Sequence, residues 1–373
     1  MIQTKKYGFV KIVMLLIVLL TLSACSMRQE ENSVDMEETG DDILESENES
    51  IETDLDFISI EKTEKYDGMD ITDWIDEQTV VLIKENREFG KINLPELENG
   101  ESDELYPTSI YEYNLGTKEF KTIIAKKNMY LGGAILSPDK KHLLYTRFTV
   151  GDEAYYVMNL EDSGQSSEKD YHINAWSAEW IDEQNIIGSS YAGGAYIADT
   201  RGNLTPIAEL QEEQLYTAHK IQEKIYYITA VGQLYMLDLI TKEKKNLQLQ
   251  NVSEIGFSPD GKQLLVTQVI ESKTSLISAD VYGTIQKTIT EGSDVTGATW
   301  SPDQQIIAYQ LISDSNGVDS SGIYLYEVST GKTIQITRNA VSAEIRWSPS
   351  GKKISISEFD GKNSSSSIIY LKE

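Results

Sequence analysis

A short phrase recurs along the last four fifths of the chain, and this repeat constrains the fold more than any other feature. Each copy has an aromatic residue or leucine followed by a turn rich in Ser, Pro, Asp and Gly. The copies start at Trp74, Leu136, Trp180, Phe257, Trp300 and Trp347. One gap is near twice the others, and His219 fits a degenerate seventh copy there. The spacing is then about 38 to 47 residues, after a first interval of about 62.

Each repeat predicts four short strands, which we call A to D. Strand A ends at the anchor residue, as at Trp300, and the Ser, Pro and Asp that follow suit a type I turn. An apolar strand B, a tyrosine-rich strand C such as 323–328 and a strand D such as 333–337 complete the unit. A period of about 40 to 45 residues with four strands is typical of a propeller blade. The sequence therefore predicts an all-β fold, a β-propeller of seven four-stranded antiparallel blades, with six or eight as alternatives.

The last repeat ends after a strand C at 368–371, so another segment must supply its strand D. Residues 57–62, ahead of the first strand A, alternate as a strand does. Pairing the two ends in one blade removes an open sheet edge. We therefore expect the ring to close between these segments. The anchor tryptophans are expected in the core.

The Ser-Pro-Asp-Gly turns, preceded by Trp or Phe and followed by an apolar strand, resemble those of TolB-like and WD-repeat-like propellers of exported bacterial lipoproteins. The resemblance covers residues 57–373. It implies the propeller fold and leaves the function open, because this scaffold serves adaptors, binding proteins and the lid domains of peptidases.

The first residues predict that the chain is exported from the cytoplasm. Lysines precede an apolar segment at 12–22, which is short for a membrane span and suits a signal peptide. The ending Leu22-Ser23-Ala24-Cys25 resembles the lipobox of bacterial lipoproteins, which implies lipidation of Cys25. An ordinary secreted protein is the alternative. We thus expect a lipoprotein signal peptide at 1–24, with the lipid anchor holding the protein at the outer face of the cell membrane.

Residues 25–56 follow as a disordered acidic tether. The stretch from Ser26 to Asp56 holds 13 Asp and Glu, one Arg and no aromatic residue. Such a composition cannot bury enough apolar surface to offset the entropy of ordering. Spacing the domain from the membrane is the expected role, and docking of a basic partner is the alternative. The third region, 57–373, is the propeller.

The charge and the cysteine count narrow the classes of function. The formal net charge is -27 at pH 7, which disfavours binding to nucleic acid and to anionic lipid head groups. Cys25 is the only cysteine, so the chain forms no internal disulfide.

Candidate catalytic and metal sites are weak. The string nearest to a Gly-x-Ser-x-Gly nucleophile motif, at 188–192, lacks the second glycine. The three histidines, His142, His172 and His219, are not spaced as metal ligands. Residues 314–319 have the oxygen-rich composition of a calcium loop without the closing Glu, and we interpret them as a solvated turn. We expect no catalytic residue, no metal and no cofactor.

Binding residues are expected on the rim of the face that the D-to-A and B-to-C loops share. The first repeat is longer than the others, and its additional residues, between Glu85 and Thr108, lie in such a loop. Binding and catalytic residues often lie on irregular loops. Aromatic and cationic residues are typical interface anchors. The candidates are Tyr66, Arg87, Tyr130, Arg147, His172, Trp176, Tyr191 and Arg338.

The sequence thus predicts a non-enzymatic, membrane-anchored monomer that binds an envelope protein or peptide. A receptor for a small molecule or glycan in the central channel is one alternative, and a hydrolase or lyase is another. Aromatic residues converging on the channel would favour the receptor, and clustered carboxylates there would favour the enzyme.

Overall fold

A computed structural model describes residues 58–93, 104–149, 152–161, 170–173, 175–190, 192–313, 321–338, 340, 342–359 and 363–372. The predicted signal peptide, Cys25 and the tether lie outside these residues. The contacts place the described residues in one compact unit, Leu55–Glu373. In this unit the chain forms seven four-stranded antiparallel sheets, which confirms the seven-bladed propeller and removes the alternatives of six and eight blades.

The strands follow the predicted order. The first, β1 (Ile60–Asp67), belongs to the last blade. Blade 1 consists of β2 (Asp70–Trp74), β3 (Thr79–Glu85), β6 (Thr108–Asn114) and β7 (Phe120–Ile124). A short hairpin of β4 (Ile92–Asn93) and β5 (Glu104–Leu105) is inserted between β3 and β6. Blade 2 consists of β8 (Tyr130–Leu136), β9 (His142–Thr149), β10 (Asp152–Asn159) and β11 (Asp170–Ile173). Blade 3 consists of β12 (Ser177–Trp180), β13 (Asn185–Ser189), β14 (Ala195–Asp199) and β15 (Leu204–Pro206), followed by a 3-10 turn at Ala208–Leu210.

The remaining blades repeat this plan. Blade 4 consists of β16 (Leu215–Ile221), β17 (Lys224–Thr229), β18 (Leu234–Asp238) and β19 (Lys244–Asn246). Blade 5 consists of β20 (Val252–Phe257), β21 (Gln263–Ile270), β22 (Lys273–Asp280) and β23 (Ile285–Gly292). Blade 6 consists of β24 (Asp294–Trp300), β25 (Ile306–Ile312), β26 (Gly322–Glu327) and β27 (Thr333–Gln335). Blade 7 consists of β28 (Glu344–Trp347), β29 (Lys353–Phe359), β30 (Ser364–Leu371) and β1.

The ring closes where the sequence predicted. Strand β1 pairs antiparallel with β30, from Ile60 opposite Leu371 to Asp67 opposite Ser365. The strand is shifted from the predicted 57–62, because its pairing with β30 continues up to the turn at Gly68. His219 lies in β16, so the degenerate copy is a true strand A.

The apolar core lies between the blades. The A strands of neighbouring blades contact one another, as β2 does with β8 and β28, and they form the inner ring. Buried side chains fill each gap between sheets. Leu144 and Val157 of blade 2, for example, share a cluster with Ile186 and Tyr196 of blade 3. Stacking of radial sheets, with no central core, is what stabilises a propeller.

Two anchor tryptophans connect blades by hydrogen bonds as well as by packing. The indole N–H of Trp74 donates to Ser355 Oγ at 3.2 Å and to the carbonyl of Arg346 at 3.4 Å in blade 7. The indole of Trp180 donates to the carbonyl of Ile135 in blade 2 at 3.1 Å. Arg346 and Ile135 each stand one residue before their own blade's anchor. The repeat therefore encodes a contact from each of these blades to the one before it.

Blades 2 and 4, which have no anchor tryptophan, form the connection differently. His219 of blade 4 places Nδ1 2.8 Å from Glu179 Oε2, and Glu179 again stands one residue before an anchor. Leu136 of blade 2 has no polar side-chain atom, and its backbone N–H donates to Asp73 Oδ2 at 2.8 Å. These contacts explain why a histidine is accepted at an aromatic position.

The A-to-B turn explains the recurring phrase itself. In blade 5 the N–H of Gly261 donates to the carbonyl of Ser258 at 2.8 Å, which closes the type I turn. The buried Ser258 hydroxyl donates to Asp260 at 2.7 Å and accepts from the N–H of Gln263 at 2.9 Å. Gly261 has a φ of 68°, a region that favours glycine. Ser, Asp and Gly each satisfy one requirement of this turn.

Candidate binding face

The propeller has two faces of different construction. We call the one formed by the A-to-B and C-to-D connections the turn face, and the one formed by the B-to-C and D-to-A connections the loop face. The inserted hairpin between Glu85 and Thr108 lies on the loop face. The predicted rim residues were assigned to that face, and the structure divides them into exposed and buried groups.

Tyr66 lies in the core and not on the rim. Its side chain is buried between blades 7 and 1, and its ring meets Tyr113 edge to face with 6.0 Å between centroids. The hydroxyl donates to Glu64 at 2.7 Å. Burial, followed by this hydrogen bond, raises the pKa of Tyr66. Tyr66 therefore contributes to the closure of the ring.

Arg147 and His172 meet around one tyrosine in blade 2. The guanidinium of Arg147 is buried, lies 3.8 Å from the ring centroid of Tyr156 and pairs with Asp170. The exposed ring of His172 lies 5.2 Å from the same tyrosine. Asp170 also accepts hydrogen bonds from Tyr145 at 2.9 Å and Lys126 at 2.7 Å. Arg147 thus belongs to a buried ion-pair network. Of these two predicted residues, only His172 remains exposed to a partner.

Arg87 and Tyr130 lie near one carboxylate of the loop face. Arg87 is exposed and its Nη2 is 3.2 Å from Glu85 Oε2. Tyr130 is half-buried, with its ring 5.8 Å from that of Phe148. Burial raises the pKa of Tyr130, and the negative charges of Glu85 and Asp70 act in the same direction. These two predicted residues belong to the same part of the loop face.

The other predicted residues are dispersed. Trp176 is half-buried just before β12, and its backbone N–H donates to the Ser189 carbonyl at 2.7 Å. Arg338 is exposed between β27 and β28. Tyr191 lies outside the described residues. The structure therefore does not bring the seven described candidates together in one site.

An acidic group that sequence reasoning missed stands at the start of the first inner strand. Burial, followed by the neighbouring charge of Glu344, raises the pKa of Asp70 to about 6. Arg346 Nη2 lies 3.6 Å from Glu344, and Arg346 Nε donates to the carbonyl of Thr72 at 3.3 Å. An acid a few residues before several anchors, as at Asp70, Glu254 and Glu344, was the available signal, and the burial of Asp70 depends on the adjoining blade.

A carboxylate, an imidazole and a hydroxyl form a chain between the inner strands of blades 3 and 4. Besides its contact with Glu179, His219 places Nε2 3.2 Å from Thr217 Oγ1. If Nδ1 donates to Glu179, Nε2 accepts from the hydroxyl. The same order of groups activates a hydroxyl in hydrolases. A structural role explains the same contacts, because His219 is the anchor residue of blade 4 and its contact with Glu179 connects blade 4 to blade 3.

The loop face of blades 4 and 5 carries four exposed apolar side chains on adjoining segments, which we call the apolar strip. Its members are Tyr216, Val231, Val269 and Ile270, between 43% and 73% exposed. Backbone hydrogen bonds join the segments that carry them. Ala230 N–H donates to Gln214 at 2.8 Å, Val252 N–H to Gly232 at 2.8 Å, and Val269 N–H to Asn251 at 2.8 Å. The strip therefore rests on a backbone that is fixed from blade to blade.

A pocket opens at one end of this strip. It has a volume of about 320 Å³ and lies beside blade 4, with Val231 on its edge. The rings of Tyr227 and Tyr235 stack in it with centroids 5.5 Å apart and planes 15° apart. Glu213 and Lys244 line it and pair at 2.5 Å. The pocket thus offers an aromatic wall next to an ion pair.

The described residues show neither a metal-binding cluster nor a membrane-spanning helix. Within the part of the chain that the structure describes, no group of three or more His, Cys, Asp and Glu side chains could hold a metal ion. Among the same residues, no helix has the length and apolarity that crossing a membrane requires.

The four-stranded sheets define the chain as a seven-bladed β-propeller, and comparisons show which known structures it is similar to. The chain is similar to oligogalacturonate lyase from Vibrio parahaemolyticus, with a TM-score of 0.56 and 10% identity over 85% of this chain and 99% of that one. It is similar to the propeller domain of Myceliophteria thermophila Cps50 (Swd1), with a TM-score of 0.52 and 11% identity over 84% and 100%. TolB from Acinetobacter baumannii matches with a TM-score of 0.41 and 15% identity over 71% and 61%.

These similarities concern the fold alone, because the identities are low. At that level the similarity to the Cps50 (Swd1) propeller domain confirms the predicted likeness to WD-repeat-like propellers. No protein-family model and no curated protein matches the chain.

Proposed function

We propose that the protein is a non-enzymatic lipoprotein of the cell envelope whose propeller binds a protein or peptide through its loop face. The observation that carries this proposal is the apolar strip on blades 4 and 5. Its four members are large side chains on adjoining segments. Contiguous exposed apolar surface costs solubility and is typical of interaction sites. Isolated apolar side chains on a surface would carry no such meaning.

The proposed location rests on the first residues of the sequence. The apolar segment ending in Leu22-Ser23-Ala24-Cys25 would export the chain and allow lipidation of Cys25. Acyl chains on this cysteine would hold the protein at the outer face of the cell membrane, and the acidic residues up to Asp56 would space the propeller from it. We propose a monomer that uses no cofactor and binds no nucleic acid, in keeping with a net charge of -27.

Lipidation is tested by following a labelled fatty acid in intact cells. The wild-type chain should incorporate the label and sediment with membranes. Cys25→Ala should lose both properties. Ser23→Ala, which keeps a small residue before the cysteine, is the matched control and should behave as the wild type does. A membrane-bound, unlabelled wild-type chain would contradict the lipid anchor.

Binding is tested by chemical cross-linking on the same cells. The wild-type chain should form one or a few discrete adducts with an envelope protein. Ile270→Asp should reduce them at least fivefold. Tyr282→Asp, a change at an equally exposed position on the turn face of the same blade, should leave them unchanged. Adducts that are insensitive to every loop-face substitution would remove the basis of the proposal.

A hydrolase or lyase is a further candidate, and the chain of Glu179, His219 and Thr217 is the observation that favours it. Two similar structures are named oligogalacturonate lyases. The test is incubation of the purified protein with oligogalacturonate, with and without manganese, while unsaturated products are followed by ultraviolet absorbance. Turnover that His219→Ala abolishes would favour this enzyme over the adaptor.

A further inference from the structure

We infer that the apolar strip and the pocket beside Tyr235 form one docking site for an extended, basic segment of a protein partner, with one apolar side chain of the partner in the pocket. The inference rests on the proposed function and deepens it, because it names where the partner binds and what its chemistry is.

The pocket has the size and lining for a side chain. A volume of about 320 Å³ is at the small end of the range of about 300–1,000 Å³ that ligand pockets cover. The stacked rings of Tyr227 and Tyr235 offer an apolar wall. Polar groups stand at its edge, where Tyr235 Oη donates to Gln233 Oε1 at 3.2 Å. Such a pocket takes an aliphatic or aromatic anchor and hydrogen-bonds the backbone next to it.

The strip continues from the pocket in the direction of the next blade. Val231 lies on the edge of the pocket, and Val269 and Ile270 end strand B of blade 5. Asn251 lies between them: its carbonyl accepts from Val269, and its backbone is close to Gly232. In an extended segment, alternate side chains project to one side about 6–7 Å apart. A segment of this kind can place successive apolar side chains along the strip.

The charges around the strip favour a basic segment. Glu212 is exposed, and Glu213 lines the pocket. Glu271 is exposed at the far end of the strip, next to Ile270. Glu213 and Lys244 pair at 2.5 Å and offset each other's charge, and the exposed Lys273 stands opposite Ile270 in the B-to-C hairpin, so Glu212 and Glu271 leave a small excess of negative charge at the strip. With a net charge of -27 on the chain, Lys or Arg residues flanking the apolar anchor would be attracted to this face.

The test uses the full chain and a phage-displayed library of random dodecapeptides. Selection on the wild-type protein should enrich sequences that combine Lys or Arg with aliphatic or aromatic residues. A fluorescent peptide made from the enriched sequence should bind with an affinity that falls as salt is added, because the attraction is partly electrostatic. Enrichment of acidic or uncharged peptides would overturn the inference.

Substitutions in one blade locate the binding. Val231→Asp should weaken the peptide at least tenfold, and Glu213→Gln should weaken it about threefold and reduce its salt dependence. Ile240→Asp is the matched control, because Ile240 is 75% exposed against 73% for Val231 and lies on the turn face of the same blade. Its affinity should stay within twofold of the wild-type value. Equal thermal unfolding temperatures of the three variants check that each is folded.

Other results separate this inference from the proposed function. If Val231→Asp binds the peptide as the wild type does while the cellular adducts persist, the docking site is wrong and the adaptor function stands. If light scattering shows a dimer that Val231→Asp dissociates, a second copy of this chain occupies the strip and the basic partner is excluded. If neither peptides nor cellular adducts are found, both proposals fail.

Discussion

Val231 and Ile240 lie in connections of the same blade on opposite faces of the propeller. They are almost equally exposed, at 73% and 75%. Ile240 is held in a C-to-D turn, where the carboxylate of Asp238 accepts the N–H groups of Ile240 and Thr241, both at 2.9 Å. Val231 adjoins a pocket, and further exposed apolar side chains stand at the end of strand B of the next blade. Exposure alone therefore does not mark a site, whereas continuity with neighbouring segments does.

The turn face is built by local side-chain hydrogen bonds that recur from blade to blade. Asp199, Asp238 and Asp280 each accept backbone N–H groups of their own C-to-D turns. Such hydrogen bonds help to lower the pKa of all three carboxyls. A lowered pKa in the folded state means stabilisation that is present above the unfolded pKa and is lost as the pH falls through the folded value. The turn face thus favours ionised acids, in contrast to Asp70 at the start of an inner strand.

The largest expected effect concerns Trp74, the last residue of a strand A, next to a turn on the turn face. Trp74→Ala should lower the free energy of unfolding by about 3–5 kcal/mol, because a buried indole and its hydrogen bonds to blade 7 are removed. Tyr216→Ala, on the exposed strip, should change it by less than about 0.5 kcal/mol. Urea denaturation measures both. Equal losses would show that the faces do not differ as described.

The next effect tests the turn itself within blade 5. Ser258→Ala should destabilise the protein by about 1–3 kcal/mol, because the N–H of Gln263 and the carboxylate of Asp260 lose a buried partner. Ser272→Ala, in the exposed B-to-C turn of the same blade, is the matched control and should have little effect. A stable Ser258→Ala variant would mean that the recurring serine does not serve the turn.

Asp70 makes the stability of the inner strands depend on pH, in the opposite sense to the acids of the turn face. Its pKa is raised from 3.8 to about 6, so the folded state binds a proton that the unfolded state releases. The stability associated with this proton is complete below pH 3.8 and is lost as the pH rises through 6. Asp70→Asn should therefore stabilise the protein by about 1–2 kcal/mol at pH 8 and by almost nothing at pH 4. Equal effects at both pH values would argue against a raised pKa.

The smallest effect concerns a departure from the repeat. Gln304 stands where two other A-to-B turns have glycine, and its φ is 62°. Gln304→Gly should stabilise the protein by about 0.5–1 kcal/mol, because glycine adopts this conformation without steric cost. Gln305→Gly, one residue later, should be neutral or destabilising. Thermal unfolding of the two variants distinguishes these results.

The sequence was sufficient for the turn face and the fold because the interactions there are local. Ser258, Asp260 and Gly261 act within one turn, and the apolar strand after them recurs at a fixed distance. The closing strand was also predictable, since an alternating segment remained without a partner. These features depend on neighbours a few residues away or on the repeat frame.

The environment of the candidate site residues was not predictable, because it comes from distant segments. Arg147 appeared suited to a surface, yet Asp170 neutralises it in a buried setting. Tyr66 meets Tyr113 of blade 1 across the gap between blades. Val269 and Ile270 resembled the end of an ordinary apolar strand. Only the assembled blades show which of these side chains remain exposed and which are covered.

The most direct test of the central claim is photo-cross-linking in intact cells, with a photoreactive amino acid placed at position 231 in one strain and at position 240 in another. Both positions are about equally exposed, so unspecific capture should be equal. The account predicts that one envelope protein is captured from position 231 at least five times more than from position 240, as measured by mass spectrometry. Equal capture from both positions, or capture from position 240 alone, would contradict the assignment of binding to the loop face.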